Sequence, residues 1–321
     1  MLITTAAGSL PGTDYRGALG VVSQSYPRLL PLPELPARGP GSQIIGRALA
    51  LLPELGFELD RGQWRLASHP SSAQRRAQAQ WRGDLDDVEE LLTGFDQTLK
   101  VAFAGPWTLA GSVASRNGEL LLSDAGAVRE VTDALAIGIA QLTDELANRL
   151  PAATVRHQLD EPLLVAVHAG TLRTQSGLRR HPGVPADQLR AGLAGFAPNS
   201  ILHCCAGGSW LQLAQQSQLQ AVSVDAALLR GTDELDQLAA WWASGRTVVL
   251  GVVDTGNPEQ QEAEMVATAE RILQAIGSPD ASRLIVGTAC GMAGWQPSQV
   301  TRQLRRQAKA AEQLSEWLYQ G

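Results

Sequence analysis

Residues 247–254 read Thr247-Val248-Val249-Leu250-Gly251-Val252-Val253-Asp254, an apolar, β-branched run that stops on a carboxylate. Its length and composition are those of a buried β-strand. Runs of the same kind occupy residues 2–9, 30–35, 100–105, 154–160, 200–205, 221–225 and 283–290, which makes eight in all. Long segments of helical period separate most of them. Residues 124–150 align Val128, Val131, Leu135, Leu142, Leu146 and Leu150 on one stripe, with Ser123 or Asp124 as the cap. The last helix opens at Pro297 and carries Val300, Leu304, Ala308, Ala311, Leu314 and Leu318 on one face. Strand alternating with helix is the α/β pattern, and eight such strands predict a TIM (β/α)8 barrel. Residues 11–99 are less regular: rich in proline at 27–40, helical at 42–52, a hairpin at 57–67, and polar and solvent-facing at 74–82. The expectation is one catalytic barrel spanning 1–321, with an irregular insertion around 27–99.

The 321 residues are 44% hydrophobic and 18% charged, enough to bury a large core and too apolar for a disordered chain. A formal charge of -6 with no basic stripe excludes a nucleic-acid footprint. Of the 26 basic residues only Lys100 and Lys309 are lysines, a skew typical of GC-rich coding sequence. The N-terminus lacks a basic region followed by an apolar one, and no run of 18 apolar residues occurs, so the expected location is cytoplasmic, with no membrane partner. Three cysteines, two of them adjacent, cannot build a disulfide framework and point to metal, redox or structural thiol roles.

Polar residues gather at the C-terminal ends of the predicted strands: Ser9, Asp160 with Glu161, His203 with Cys205, Asp225, Asp254 and Cys290. In a parallel barrel those ends share one face, where active sites form. Side chains alternate along a strand, so in Leu202-His203-Cys204-Cys205 the imidazole of His203 and the thiol of Cys205 point one way and Cys204 the other. Imidazole nitrogen and thiolate sulfur are zinc ligands; Cys290 adds a third and Asp225 a carboxylate oxygen. Without the third cysteine, buried thiols and a core histidine are the simpler reading. Asp160 and Glu161, adjacent carboxylates before Pro162, invite a cationic ammonium guest, though a capping or Arg-paired acidic turn gives the same pattern.

The chain resembles the C-terminal catalytic barrel of cobalamin-independent methionine synthase, in a short, single-barrel form within the uroporphyrinogen decarboxylase/methionine synthase-like superfamily. The matching segments run in order: Thr4-Thr5-Ala6-Ala7-Gly8-Ser9-Leu10-Pro11, Gly105-Pro106-Trp107-Thr108-Leu109, Gln158-Leu159-Asp160-Glu161-Pro162, His203-Cys204-Cys205, Val222 to Asp225, Gly251-Val252-Val253-Asp254, and Cys290-Gly291 followed by Trp295. The resemblance implies that His203, Cys205 and Cys290 bind zinc and that Ser9 and Asp160 hold the amino-acid end of a homocysteine-like thiol. Asp160 and Glu161 are the expected catalytic pair. The implied reaction is thiol S-methylation in methionine biosynthesis: a zinc-stabilised thiolate attacks an activated methyl group.

Three positions depart from the family pattern. Asp225 stands where the family carries a zinc-binding Glu, one methylene longer. The loop after 247–254 reads Thr255-Gly256-Asn257-Pro258, where the family carries a His that protonates the departing folate. Met292-Ala293-Gly294 replaces a basic segment. These residues also hold no counterpart of the family's N-terminal barrel. The methyl donor is therefore methylcorrinoid or methyltetrahydrofolate, the former needing no proton delivered to a leaving nitrogen, and a corrinoid or methyl-donor protein is the implied partner. Two other readings stand beside this one: a barrel that has lost catalysis and serves as a binding or regulatory subunit, and a uroporphyrinogen-decarboxylase-like enzyme, whose chemistry gives no reason for the His–Cys–Cys set. His157 has the wrong parity to share the face of Asp160, and His69, His168 and His181 read as surface or core. Of Trp241 and Trp242, one is expected in the core and the other on an exposed patch or subunit contact.

Overall fold

Parallel pairing of all eight predicted strands builds a nearly closed barrel. The computed structural model describes residues 1–277 and 280–320. Its strands are β1 Ile3–Thr4, β2 Leu29–Pro31, β3 Gly56–Asp60, β4 Gln63–Ala67, β5 Thr98–Ala104, β6 Thr154–Asp160, β7 Ile201–Cys204, β8 Ala221–Asp225, β9 Thr247–Val253 and β10 Leu284–Thr288. Eight of them form one sheet in the order β1-β10-β9-β8-β7-β6-β5-β2, every pairing parallel. The two edges meet above β1 and β2, where Ser9 bridges Glu34, Leu10 N–H donates to Glu34 O at 2.8 Å and Glu34 N–H donates to Gly8 O at 3.1 Å. This is the TIM-barrel architecture expected from the alternation of strand and helix.

Strand parity divides the apolar residues into two cores. Inside the barrel, Ile3, Leu29, Ile201, Ala221, Val249 and Ile285 fill a layer of their own. Their outward neighbours, such as Leu202, Val222, Val248, Leu250, Leu284 and Val286, belong to the much larger core between sheet and helices. The helix Ala125–Arg149 is capped by Asp124, whose carboxylate accepts from the N–H groups of Gly126 and Ala127, and it buries Val128, Val131, Leu135, Leu142 and Leu146. The closing helix Pro297–Gln320 packs against the start of the chain; Ser315 Oγ accepts from Leu2 N–H at 2.8 Å.

The segment between β2 and β5 is more ordered than its composition suggests. It holds the helix Ile44–Leu51, the antiparallel hairpin β3–β4 and the twenty-residue helix Ser72–Leu91. Residues 74–82, expected on the surface, lie in that last helix and are partly buried. Gln74 is fully enclosed because its amide serves the hairpin: Oε1 accepts from Phe57 N–H at 2.7 Å, while Nε2 donates to Leu49 O at 3.2 Å and Leu55 O at 2.9 Å. Trp81 is buried too, its indole N–H on Arg47 O at 3.0 Å. Trp241 and Trp242 are likewise both buried, each beneath a guanidinium 4.5 Å from its ring, Arg246 and Arg283 respectively. Neither ring forms the exposed patch expected for one of them. Among the described residues no helix is long and apolar enough to cross a membrane.

Candidate metal centre and substrate site

Four strand ends and the turns that follow them place the polar residues. β7 carries His203 inward and Cys204 outward; Cys204 sits in the outer core with burial pushing its thiol up to about 12. One residue later Cys205 turns back toward the mouth, and Cys290 arrives two residues past β10. The Sγ atoms of Cys205 and Cys290 are 3.4 Å apart, and with a ring nitrogen of His203 the three ligand atoms all lie within 4.8 Å of one another.

His203 is enclosed, and its Nδ1 lies 3.0 Å from Ser223 Oγ on β8. A Nδ1–H donated to that hydroxyl leaves the Nε2 lone pair free, the usual arrangement behind a metal-binding imidazole. Burial works against charge on His203, yet its hydrogen bond with Cys290 and the nearby Asp160 carboxylate raise its pKa overall. Cys290 is drawn down to about 4 by its contacts with the Cys205 thiol and with His203, while Cys205 is pushed up by the same sulfur contact and by burial. Zinc bonds of about 2.0 Å to nitrogen and about 2.3 Å to sulfur hold ligand atoms roughly 3.5–3.8 Å apart, so this donor set fits that ion with little rearrangement.

Ser9 lies directly against the Cys290 turn. Met292 N–H donates to Ser9 O at 2.8 Å, and a Cβ on Gly291 would overlap Ser9 Oγ, so a side chain at 291 would force that hydroxyl to another rotamer. Asp160 sits opposite His203 in the β6–β7 register. It is 8% exposed, and its Oδ1 accepts from Gln158 Nε2 at 2.7 Å. Burial raises its pKa, against the charge of His203 and the Gln158 hydrogen bond.

Two predicted site residues make local hydrogen bonds. Glu161, expected to act with Asp160, is wholly buried with both oxygens spent on the start of the helix Pro106–Ala110. Oε1 accepts from Trp107 N–H at 2.9 Å, and Oε2 from the N–H and hydroxyl of Thr108, each at 2.7 Å. Gly105 leaves the room this carboxylate occupies. Burial raises Glu161 to about 7 despite those three donors. Asp225, expected as a fourth ligand, caps the turn after β8, its Oδ1 accepting from Ala227 N–H at 2.8 Å, and it is not one of the three converging ligands. Asp254 behaves similarly, accepting from Gly256 N–H at 2.8 Å. His157 faces outward as expected, 2.8 Å from Thr143 Oγ1.

Glu34 and Lys100 belong to this region and were not among the sequence candidates. Glu34 bridges Ser9 and is 8% exposed; burial raises it to about 7, partly offset by Arg47 and reinforced by Asp160 and Cys290. It obeys the same strand-end rule as the others, displaced three residues past β2 by the prolines 31 and 33. Lys100 is completely buried inside the barrel and bonded to Gln158.

A parallel barrel with one imidazole and two thiols converging at its strand-end mouth is a candidate metal-centre barrel. The chain belongs to the cobalamin-independent synthase family, whose catalytic-domain model matches residues 89–313, and it is accordingly a methyltransferase. Among solved structures, a B12-independent methionine synthase from Shewanella sp. W3-18-1, determined in complex with selenomethionine, aligns at a TM-score of 0.61 and 14% identity over 100% of both chains. At that identity the likeness is one of fold. No curated protein matches this sequence.

Proposed function

We propose that this methyltransferase is zinc-dependent and methylates a small thiol, homocysteine, to give methionine. The observation that carries the reading is the convergence of His203, Cys205 and Cys290 within 4.8 Å at the barrel mouth. Bound by these three, zinc would supply the Lewis acidity that keeps a substrate thiol deprotonated and nucleophilic at neutral pH. Ser223 holds the His203 ring so that one nitrogen faces its two cysteine partners. Ser9 and Asp160 grip the amino-acid end of the thiol, Asp160 by its charge against the ammonium group. Glu34, on the neighbouring wall, adds a second carboxylate. Glu161 reacts with nothing; it ties the turn after β6 to the helix that follows β5, which fixes the height of Asp160. Holding the thiol rigidly in line with the methyl group is the chain's main contribution to rate.

For the donor, the loop after β9 favours methylcorrinoid over methyltetrahydrofolate. Residues 255–258 offer no imidazole to protonate a departing nitrogen, and cobalt leaving from a methyl group needs no proton. A separate corrinoid protein would then present the methyl group at the mouth. Turnover of homocysteine by the zinc-loaded protein with methylcobalamin and, separately, with methyltetrahydrofolate tests both parts. Methionine formed from the corrinoid alone is the expected result; formation from folate alone would overturn the donor assignment, and from neither, the homocysteine assignment.

A further inference from the structure

A lysine inside a barrel is costly, since burying an ammonium group without partners forfeits its hydration. Lys100 is 0% exposed, and its Nζ donates to Gln158 Oε1 and, at 3.1 Å, to Ala7 O. Gln158 in turn donates through Nε2 to Asp160 Oδ1 at 2.7 Å and to Ala7 O at 3.0 Å. The three side chains form an inward column. On β5 the residues facing Gln158 and Asp160 in register are Ala102 and Ala104, small enough to let the lysine rise beneath the amide.

The amide has a polarity, and Lys100 sets it. Burial lowers Lys100 to about 7 and the Asp160 charge opposes that; in its charged form the lysine can only donate, so it holds the Oε1 end of Gln158 toward itself and the Nε2 end toward Asp160. Were the lysine absent, the amide could turn over and press a carbonyl oxygen against the carboxylate. Asp160 Oδ2 accepts no hydrogen bond among the described residues, so the column occupies one oxygen and leaves the other open. We propose that Lys100 is a positioning residue for the thiol substrate: through Gln158 it locks the Asp160 carboxylate in the orientation that receives the substrate's ammonium group. The proposal rests on the reading of Asp160 as the ammonium acceptor, and goes beyond it in assigning a buried cation, outside the reach of substrate, to the control of substrate affinity.

The test is calorimetric titration of homocysteine into zinc-loaded protein carrying Lys100→Met, Gln158→Met, Asp160→Asn, and each of the first two combined with the third. Zinc content and thermal midpoint are measured alongside. Lys100→Met and Gln158→Met should each raise Kd ~10-fold, the scale of one charge-assisted hydrogen bond, and raise KM more than they lower kcat. On the Asp160→Asn background neither should cost anything further, because the group they act through is already altered. Kd unchanged by Asp160→Asn would remove Asp160 from the substrate site and this proposal with it. Kd raised by Asp160→Asn but not by the other two variants would overturn the proposal alone, and so would fully additive losses. Should Lys100→Met fail to fold, Gln158→Met, which retains the lysine and its bond to Ala7, decides by the same criteria.

Discussion

The Sγ atoms of Cys205 and Cys290 lie 3.4 Å apart although 85 residues separate them in the chain. Two strands, β8 and β9, intervene between β7 and β10, and the curvature of the barrel brings the ends of β7 and β10 to one mouth. Cys204, adjacent to Cys205, faces the opposite side of the sheet and is packed among the outer core residues. Replacing Cys290 with Ser should therefore remove most bound zinc, whereas Cys204→Ser should leave it in place. Elemental analysis of the two purified variants checks this, and equal loss in both would refute the assignment by strand parity.

In the proposed function Asp160 holds the substrate's ammonium group, and it is not one of the three converging ligands. Asp160→Asn keeps its shape and removes its charge, so homocysteine affinity should fall by about tenfold or more, on the scale of a hydrogen bond to a charged group, while zinc affinity changes less. Paired titrations with homocysteine and with zinc distinguish the two effects. A larger loss of zinc than of thiol affinity would move Asp160 into the metal site.

Glu161 accepts three hydrogen bonds within the protein, none of them at the mouth. Glu161→Ala strands two backbone donors and a hydroxyl in a buried setting and should cost about 2–4 kcal/mol of stability. Denaturant unfolding measures it. Unchanged stability with a collapse in kcat would restore Glu161 to a chemical role.

His157 is depressed to about 4 by burial, from 6.5 when free. The folded chain thus keeps this ring neutral, while the unfolded chain takes up a proton as pH drops below 6.5. Stability from this group is complete above pH 6.5 and is lost as pH falls toward 4, on the order of 2–3 kcal/mol in all. Unfolding curves of the parent and of His157→Gln across that interval should converge as the pH falls. Parallel curves would show that His157 contributes nothing to acid sensitivity.

The barrel was legible because parallel strands covered on both faces are written as apolar runs, and the mouth because polar residues stop those runs. β1 and β2 were harder to read. The predicted strand at 2–9 pairs regularly only over Ile3–Thr4; beyond it the segment changes partners, from Val286 O at Thr5 to the Thr288 hydroxyl at Ala7 and then to Glu34 across the seam. Prolines 31 and 33 shorten β2 in the same way and hide Glu34. The helix Ser72–Leu91 was missed because two of its buried positions are Gln74 and Asp84, which break an apolar stripe otherwise set by Ala77, Trp81, Leu85 and Val88. Asp84 is paid for by Arg38 at 2.6 Å and Arg47 at 3.3 Å, partners that only the fold supplies. The place of Lys100 in the site was not legible for a related reason: a lysine within an apolar run gives no hint that Gln158, 58 residues on, will meet it.

The most direct test of the metal centre is the zinc content of the purified protein, kept reduced, by elemental analysis. The geometry of His203, Cys205 and Cys290 predicts close to one zinc per chain. A protein that carries none and takes up none when zinc is added under reducing conditions would contradict the metal centre and, with it, the mechanism built on that centre.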